Sequence, residues 1–297
     1  MLTDSPRAWC TRKATAPRLA LPAGAWHTHA PVFGPFDQYP LAPDSRYQPP
    51  MAPREAYYST LDTAGFAHGV LVHASANGFD NRGTLDAVRQ HFPRARAIGV
   101  VAESSNDSEL LSLDGAGVRG LRFTENGERI GAPKPSGTLG LDALQRMAPR
   151  LRHLGWHALV WAKCDYIVES MAWLGEIGVP LVLDHMGAFD VTRGVRDSAF
   201  QSLLRLLDTG SVWVKLVTTR VTSLRWNDGS DVRPFYDALL TRAPDRMLWG
   251  SDWPYIGMDK HLPDVGAQID LFDKWTGDGA LREKVFVSNP KALYGRA

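Results

Sequence analysis

The stretch VPLVLDHMG, residues 179–187, shows the pattern that decides the fold. The apolar run VPLVL is followed directly by Asp184 and His185. An unalternated apolar run of this length is typical of a parallel strand that is buried on both faces. Two polar residues at its end then mark the point where such a strand reaches the edge of its sheet.

Seven similar runs recur along the chain, separated by segments with helical spacing at 80–92, 138–153, 165–178 and 198–209. Strand and helix therefore alternate through the whole chain, which predicts a single (β/α)8 TIM barrel over residues 23–297, after a short N-terminal arm of residues 1–22. A doubly wound open sheet would normally carry a glycine-rich phosphate fingerprint after its first strand, and none is present. The eight predicted strands are GAWHTHA (24–30), HGVLVHA (68–74), RAIGVVA (96–102), VRGLRF (118–123), WHALVWA (156–162), VPLVLDHM (179–186), VWVKLV (212–217) and RMLWGSDW (246–253).

The composition narrows the classes of function. Among 297 residues, 33 Lys and Arg balance 32 Asp and Glu, which argues against a nucleic-acid or polyanion binder. No apolar run approaches the ~18 residues of a membrane span, and the N-terminal segment lacks the apolar centre of a signal peptide. Cys10 and Cys164 are far apart and fit two reduced thiols. We therefore expect a cytoplasmic enzyme acting on a small molecule.

Polar residues end three of the predicted strands: His27-Thr28-His29 the first, Asp184-His185 the sixth and Asp252 the eighth. In a TIM barrel the chemistry sits at the C-terminal ends of the strands. Each motif alone has a plain structural explanation, such as a solvated histidine or an aspartate that caps a loop. Together, at the ends of three strands, they indicate a functional site.

Two expectations follow for the geometry of this site. His27 and His29 are two apart on one strand, so both imidazoles should face the same spot. Asp252 is flanked by tryptophans and a proline, and a partly dry pocket would raise its basicity towards that of a general base.

These three motifs resemble the amidohydrolase superfamily, in its 2-pyrone-4,6-dicarboxylate lactonase branch, which also contains sugar lactonases and a sulfomuconolactonase. The combination of HTH (27–29), LDHMG (183–187) and WGSDWP (249–254) is specific, whereas HxH alone is not. The resemblance covers nearly the whole chain, from about Gly24 to Tyr294. Further matching segments are FGP (33–35), YPLAPDSRY (39–47), DNRGTLDA (80–87), GVRGLRF (117–123), GWH (155–157) and NPKALYG (289–295).

The resemblance implies a role for each matching residue. Asp252 would be the general base that activates water, while His27, His29 and His185 would polarise a lactone carbonyl. Opening a cyclic ester requires such a base and a donor-rich site for the oxyanion. The residues implied to hold the carboxylates of the substrate are Arg122, Arg220 and Tyr47, with Ser75 adding a hydrogen bond, and the further binding candidates are Arg129, His73 and Trp161.

A metal ion is the main open question. His27, His29, His185 and Asp252 could together bind Zn²⁺ or Mn²⁺. The ends of the fourth and fifth strands lack the further ligands found in many superfamily members, and the branch resembled here includes metal-independent members. We expect no obligatory metal.

The sequence departs from the family pattern where a substrate would be chosen. Tyr255-Ile256 follows the eighth strand in place of the usual His-Pro, and Trp161 stands where tyrosine is more common. Residues 125–137 read as a loop over the barrel mouth, with the composition of a lid. The first hypothesis is a hydrolase that opens a carboxylated lactone, either the pyrone dicarboxylate or a related cyclic ester. The alternatives are a metal-dependent decarboxylase of the same superfamily and a non-catalytic carboxylate-binding barrel.

Overall fold

The computed structural model describes residues 13–125, 127–224, 228–258 and 262–296, and all eight predicted strands are present. Each strand pairs in parallel with the next one along the chain, in the order β1 to β8. The strands are β1 Trp26–Ala30, β2 His68–Val72, β3 Ala95–Gly99, β4 Val118–Glu125, β5 His157–Ala162, β6 Leu181–Leu183, β7 Val212–Leu216 and β8 Met247–Trp249.

Hydrogen bonds of β1 with the last residue of β8 and with the loop after β8 bring the two ends of the sheet together. The Thr28 hydroxyl donates to the carbonyl of Trp249 at 2.9 Å, and the backbone N–H of Asp252 donates to the carbonyl of His29 at 3.2 Å. The eight strands thus form a nearly closed barrel with helices between them. The prediction of a single (β/α)8 barrel is confirmed.

The helices fill the connections between the strands. They are α1 Arg54–Ala64, α2 Arg82–Gln90, α3 Asp107–Gly115, α4 Leu141–Leu154, α5 Cys164–Glu169, α6 Met171–Glu176, α7 Ser198–Leu206, α8 Arg233–Arg242, α9 Val265–Thr276, α10 Gly279–Glu283 and α11 Asn289–Tyr294. The single helix expected over 165–178 is in fact two short helices that meet at Ser170. In the part of the chain that the structure describes, no helix is long and apolar enough to cross a membrane.

The core has two layers. Large apolar side chains fill the space between the strands and the helices, and a smaller cluster, which includes Trp26, Val70, Leu159 and Leu248, fills the inside of the barrel. Lys215 of β7 is also completely buried. Alternate residues of each strand thus serve the two layers, which is why the strand sequences show unbroken apolar runs.

Residues 13–22 lie along the outside of the barrel without helix or strand. The backbone N–H of Thr15 donates to Asp264 at 3.0 Å, and the guanidinium of Arg282 donates to the carbonyls of Leu19 and Ala20 at 2.9 Å. Residues 1–12 of the predicted arm, with Cys10, lie outside the described residues. Cys164 is a buried free thiol.

Candidate active site

A β-bulge in β1 separates the two histidines of the HTH motif. His27 pairs with Gly69 of β2 and Ala30 pairs with Leu71, so three steps along β1 match two steps along β2. An extra residue of this kind changes the direction in which the following side chain points. The expectation that His27 and His29 face one spot is therefore not met, because the rule of alternate sides holds only for a regular strand.

His27 faces the helix layer. Its Nδ1 lies 3.2 Å from the Tyr57 hydroxyl on α1, and its Nε2 lies 2.7 Å from the Ser251 hydroxyl. The ring also packs edge-on against Phe66 and Trp249. Burial lowers the pKa of His27 to about 3, so its imidazole is neutral at pH 7. His27 is thus tied into the wall that supports the Ser251–Asp252 segment.

His29 faces the barrel interior, between two carboxylates. Its Nδ1 lies 3.1 Å from Asp184 Oδ1, and its Nε2 lies 3.5 Å from Asp252 Oδ1. Gly250 makes this position accessible, because a Cβ atom at residue 250 would lie only 2.5 Å from the Cβ of His29. The end of β8 can therefore pass close to His29 only with a glycine at this point.

Asp252 forms an ion pair with Arg220, whose Nε donates to Asp252 Oδ2 and whose Nη1 donates to the carbonyl of Ile256. Burial alone would raise the pKa of Asp252, but the charge of Arg220 and the contact with His29 lower it to about 2. The expectation of a more basic carboxylate is wrong for this arrangement, since Arg220 outweighs the dry surroundings. Asp252 is a carboxylate at neutral pH.

The loops after β6 and β8 are held in an unusual backbone conformation. His185 and Met186 have φ of 45° and 58°, and Asp252 and Tyr255 have φ of 65° and 63°. Left-handed backbone is unfavourable for residues with a Cβ atom and is typically retained at functional sites. Both loops carry a site residue at such a position, so this backbone conformation sets the directions of the His185 and Asp252 side chains.

A cavity of about 170 Å³ opens at the C-terminal ends of the strands. Pockets for drug-sized ligands usually measure ~300–1,000 Å³, so this cavity fits a small molecule. Its lining brings together eight of the candidate site residues that were predicted from the sequence. The cavity is lined by His29, Pro31, Tyr47, Val72, Ala74, Ser75, Arg122, Trp161, His185, Arg220, Asp252 and Ile256.

Arg122 lies on one wall of this cavity and is held on three sides. Its guanidinium stacks over Trp161 with 5.0 Å to the ring centroid, and its Nη2 lies 3.3 Å from Asp184 Oδ2. Its Nη1 donates to the carbonyl of His73 at 3.4 Å. His73 is not among the lining residues described above. The ring of His73 is held by its Nε2, 2.8 Å from the carbonyl of Gly78, and its backbone carbonyl is the group that Arg122 contacts.

Of two further predicted binding residues, Tyr47 lies in the cavity lining and Arg129 lies outside it. Tyr47 lines the cavity and its hydroxyl accepts from the backbone N–H of Ala76 at 3.4 Å, next to Ser75. Arg129 is exposed and, among the described residues, does not belong to the cavity lining. The backbone of its loop is held at Gly127, whose carbonyl accepts from Lys163 at 2.8 Å. Whether this loop closes over the mouth stays a prediction.

Three side chains have the donor types and spacing of a metal site: His29, Asp184 and His185, with ligand atoms within 4.8 Å of one another. This group shares two residues with the predicted set and replaces His27 and Asp252 by Asp184. Two cations already contact it, however. Lys215 Nζ lies 3.3 Å from His29 Nδ1, and Arg122 Nη2 lies 3.3 Å from Asp184 Oδ2. In this arrangement the group does not fit a metal ion, because two of its ligand atoms, Nδ1 of His29 and Oδ2 of Asp184, already face a cation.

From the sequence, Asp184 was placed in a strand-end motif without a role, and Lys215 was missed as a member of the site. Burial alone would raise the pKa of Asp184, but His185, His29 and Lys215 together hold it well below the usual range. Burial lowers the pKa of Lys215 to about 8. A signal was available for Lys215, since a lysine within the apolar run VWVKLV has to be either exposed at a sheet edge or buried with a partner.

The family model described as "Amidohydrolase" matches residues 25–296. The chain belongs to the amidohydrolase family. This amidohydrolase is 34% identical to the 2-pyrone-4,6-dicarboxylate hydrolase of Comamonas testosteroni over 94% of the chain and 92% of that protein. It is also 36% identical to the 4-sulfomuconolactone hydrolase of Rhizobium radiobacter, over 96% of the chain and 94% of that protein.

A solved structure supports the same relationship. A probable 2-pyrone-4,6-dicarboxylic acid hydrolase from Acinetobacter baumannii, with citric acid bound, superposes on this amidohydrolase with a TM-score of 0.81 at 27% sequence identity. The match covers 92% of this chain and 100% of that one. The family expected from the three strand-end motifs is therefore confirmed.

Proposed function

We propose that this amidohydrolase opens the ring of a small carboxylated lactone by adding water to its ester carbonyl. One observation carries the proposal: Arg122 and Arg220 line the same small cavity as Asp252 and His29. Guanidinium groups bind carboxylates through two parallel hydrogen bonds, which also orient them. The relatives named for lactone hydrolysis, at 34% and 36% identity over most of the chain, support the same reaction.

Asp252 is suited to take the proton of the attacking water. The water oxygen adds to the carbonyl carbon, and the ring C–O bond then breaks as the intermediate collapses. The leaving oxygen takes the proton back from the Asp252 carboxylic acid, so that the carboxylate is regenerated. General-base catalysis of this kind contributes about 10²–10⁴-fold.

His185 is suited to stabilise the oxyanion as a neutral donor. Burial, in spite of Asp184, lowers the pKa of His185 to about 4, so it carries a single ring proton at pH 7. Among the contacts of the described residues its Nδ1 has no hydrogen-bond partner, while its Nε2 faces Asp184 at 3.6 Å. His185 therefore has one ring nitrogen that no described protein group uses, and it serves as the donor when the single ring proton lies on Nδ1.

Arg220 links substrate binding to the base. In the structure its Nε is bound to Asp252. A substrate carboxylate that binds Arg220 shares this guanidinium with Asp252 and thereby weakens the charge that keeps the Asp252 pKa low. Asp252 then becomes a stronger base when a carboxylated substrate is present, which favours such substrates over uncharged lactones.

The proposal includes no obligatory metal, because Lys215 and Arg122 contact the group that would bind one. The alternative function, a metal-dependent decarboxylase, would need a metal ion at this same group. The ligand is a small anion, with neither nucleic acid nor membrane as partner, and we propose a cytoplasmic location, in keeping with the free thiol of Cys164.

A panel of carboxylated and uncharged lactones tests this function, with a pH indicator that detects the acid released on ring opening. We expect turnover of carboxylated lactones that is unchanged by a chelator. Asp252→Asn should reduce kcat by about 10²-fold or more, whereas the surface control Asp208→Asn should not. Full activity in Asp252→Asn would exclude the mechanism, and release of CO₂ with loss of activity on chelation would favour the decarboxylase.

A further inference from the structure

His29, Asp184 and His185, which have the spacing of a metal site, form the candidate metal group. A buried lysine contacts this group from inside the barrel. Lys215 lies on β7, is completely buried, and has its Nζ 3.3 Å from Nδ1 of His29. Nδ1 of His29 in turn lies 3.1 Å from Asp184 Oδ1. The ammonium thus sits beside the imidazole–carboxylate pair at the centre of the group.

A metal ion would compete directly with this lysine. A divalent ion binds histidine through the ring lone pair and needs the carboxylate oxygens turned towards it. The Lys215 ammonium lies 3.3 Å from Nδ1 of His29, and its positive charge repels a second cation in a low-dielectric interior. Arg122 adds a further cation, 3.3 Å from the other carboxylate oxygen of Asp184.

We propose that Lys215 is a positioning residue that excludes divalent metal ions from the group formed by His29, Asp184 and His185. Its ammonium supplies the fixed positive charge that this group would otherwise take from a metal ion, and it holds His29 in place beside Asp252. The proposal goes beyond the proposed function, since metal exclusion depends on these four residues and not on which lactone is hydrolysed.

Metal binding tests this directly. Chelator-treated proteins are incubated with Co²⁺ or Zn²⁺ and desalted, the bound metal per chain is measured, and the visible absorption of bound Co²⁺ reports the ligand geometry. The wild type should retain well under one equivalent, while Lys215→Met should retain about one equivalent. Lys134→Met is the matched control, because Lys134 pairs with Glu125 at 2.9 Å, outside the group, and this variant should behave as the wild type. In a Lys215→Met/Asp184→Asn double variant the metal should be lost, which locates the ion.

Two results would overturn the proposal. One is a wild type that holds one equivalent of metal and loses it in Asp184→Asn. The other is a folded Lys215→Met protein that binds no metal. If Lys215→Met folds only when Zn²⁺ is supplied, the ion is taking the place of the ammonium, as proposed. If it fails to fold both with and without Zn²⁺, an ion cannot take that place and the proposal fails.

Discussion

Arg220 donates from its Nε to the carboxylate of Asp252, so the cation best placed to bind a substrate carboxylate is paired with the expected base. The two residues lie 32 positions apart in the chain, at the ends of β7 and β8. This pairing determines the charge of Asp252 and makes substrate binding and base strength depend on each other.

Replacing Arg220 should move the pH profile of the enzyme. In Arg220→Gln the burial of Asp252 remains while the opposing charge is lost, so the pKa of Asp252 rises from about 2, by about 1–3 units. The base is then protonated at a higher pH, so the acid limb of the kcat/KM profile moves to higher pH by the same amount. Initial rates between pH 3 and 8 measure this shift.

Arg122→Gln is the control for this experiment, because Arg122 pairs with Asp184 and not with Asp252. It should weaken substrate binding and leave the position of the acid limb unchanged. An unmoved limb in Arg220→Gln would contradict the assignment of Asp252 as the base.

Arg122→Lys should raise KM although the charge is kept. A lysine cannot hold Asp184 and a substrate carboxylate with the same fork of donors, and it lacks the planar guanidinium that lies over the Trp161 ring, 5.0 Å from its centroid. We expect kcat/KM for a carboxylated lactone to fall by about 10–100-fold, the equivalent of one charge-assisted hydrogen bond. Arg89→Lys, at an exposed ion pair with Asp86, should leave the kinetics unchanged. Equal effects of the two substitutions would argue against a binding role for Arg122.

Gly250→Ala should harm both stability and catalysis. A Cβ atom at residue 250 would lie 2.5 Å from the Cβ of His29, so either β8 or β1 has to move. We expect a loss of about 1–3 kcal/mol in the free energy of unfolding, as for other overpacked positions. A displaced His29 should also lower kcat by up to about 10²-fold.

Gly115→Ala is the matched control, because a Cβ atom there meets nothing within 4 Å. Thermal unfolding and steady-state kinetics of both variants measure the difference. A Gly250→Ala protein with wild-type stability and activity would show that this close approach is not needed.

His27 should make the protein less stable in acid. Its pKa in the folded state is about 3, below the ordinary value of 6.5. Between these two pH values the unfolded chain binds a proton at this position and the folded protein does not, so stability falls as the pH is lowered from about 6.5. In His27→Gln the free energy of unfolding should fall less steeply with decreasing pH, by up to about 1.4 kcal/mol per pH unit.

Denaturant unfolding at several pH values from 4.5 to 6.5 tests this expectation. The exposed His153 provides the control, since His153→Gln should leave the slope unchanged. The same slope in the wild type and in His27→Gln would mean that His27 is not buried as a neutral imidazole.

Much of this molecule follows from its sequence. The eight apolar runs predict the strands, because residues buried on both faces have to be apolar wherever the strand lies in the barrel. The topology then brings strand ends together, which is why His29, His185, Arg122, Arg220 and Asp252, far apart in the chain, were predicted as one site and do line one cavity.

Only the tertiary structure decided which way these groups point and what charge they carry. A bulge in the pairing of β1 with β2 turns His27 towards the helices and His29 into the barrel, and no residue in HTH reveals that register. The low pKa of Asp252 and the position of Lys215 beside His29 likewise depend on side chains brought close from other strands. Local sequence determines burial and strand position, whereas register and electrostatics arise from contacts between distant residues, so they appear only when the barrel closes.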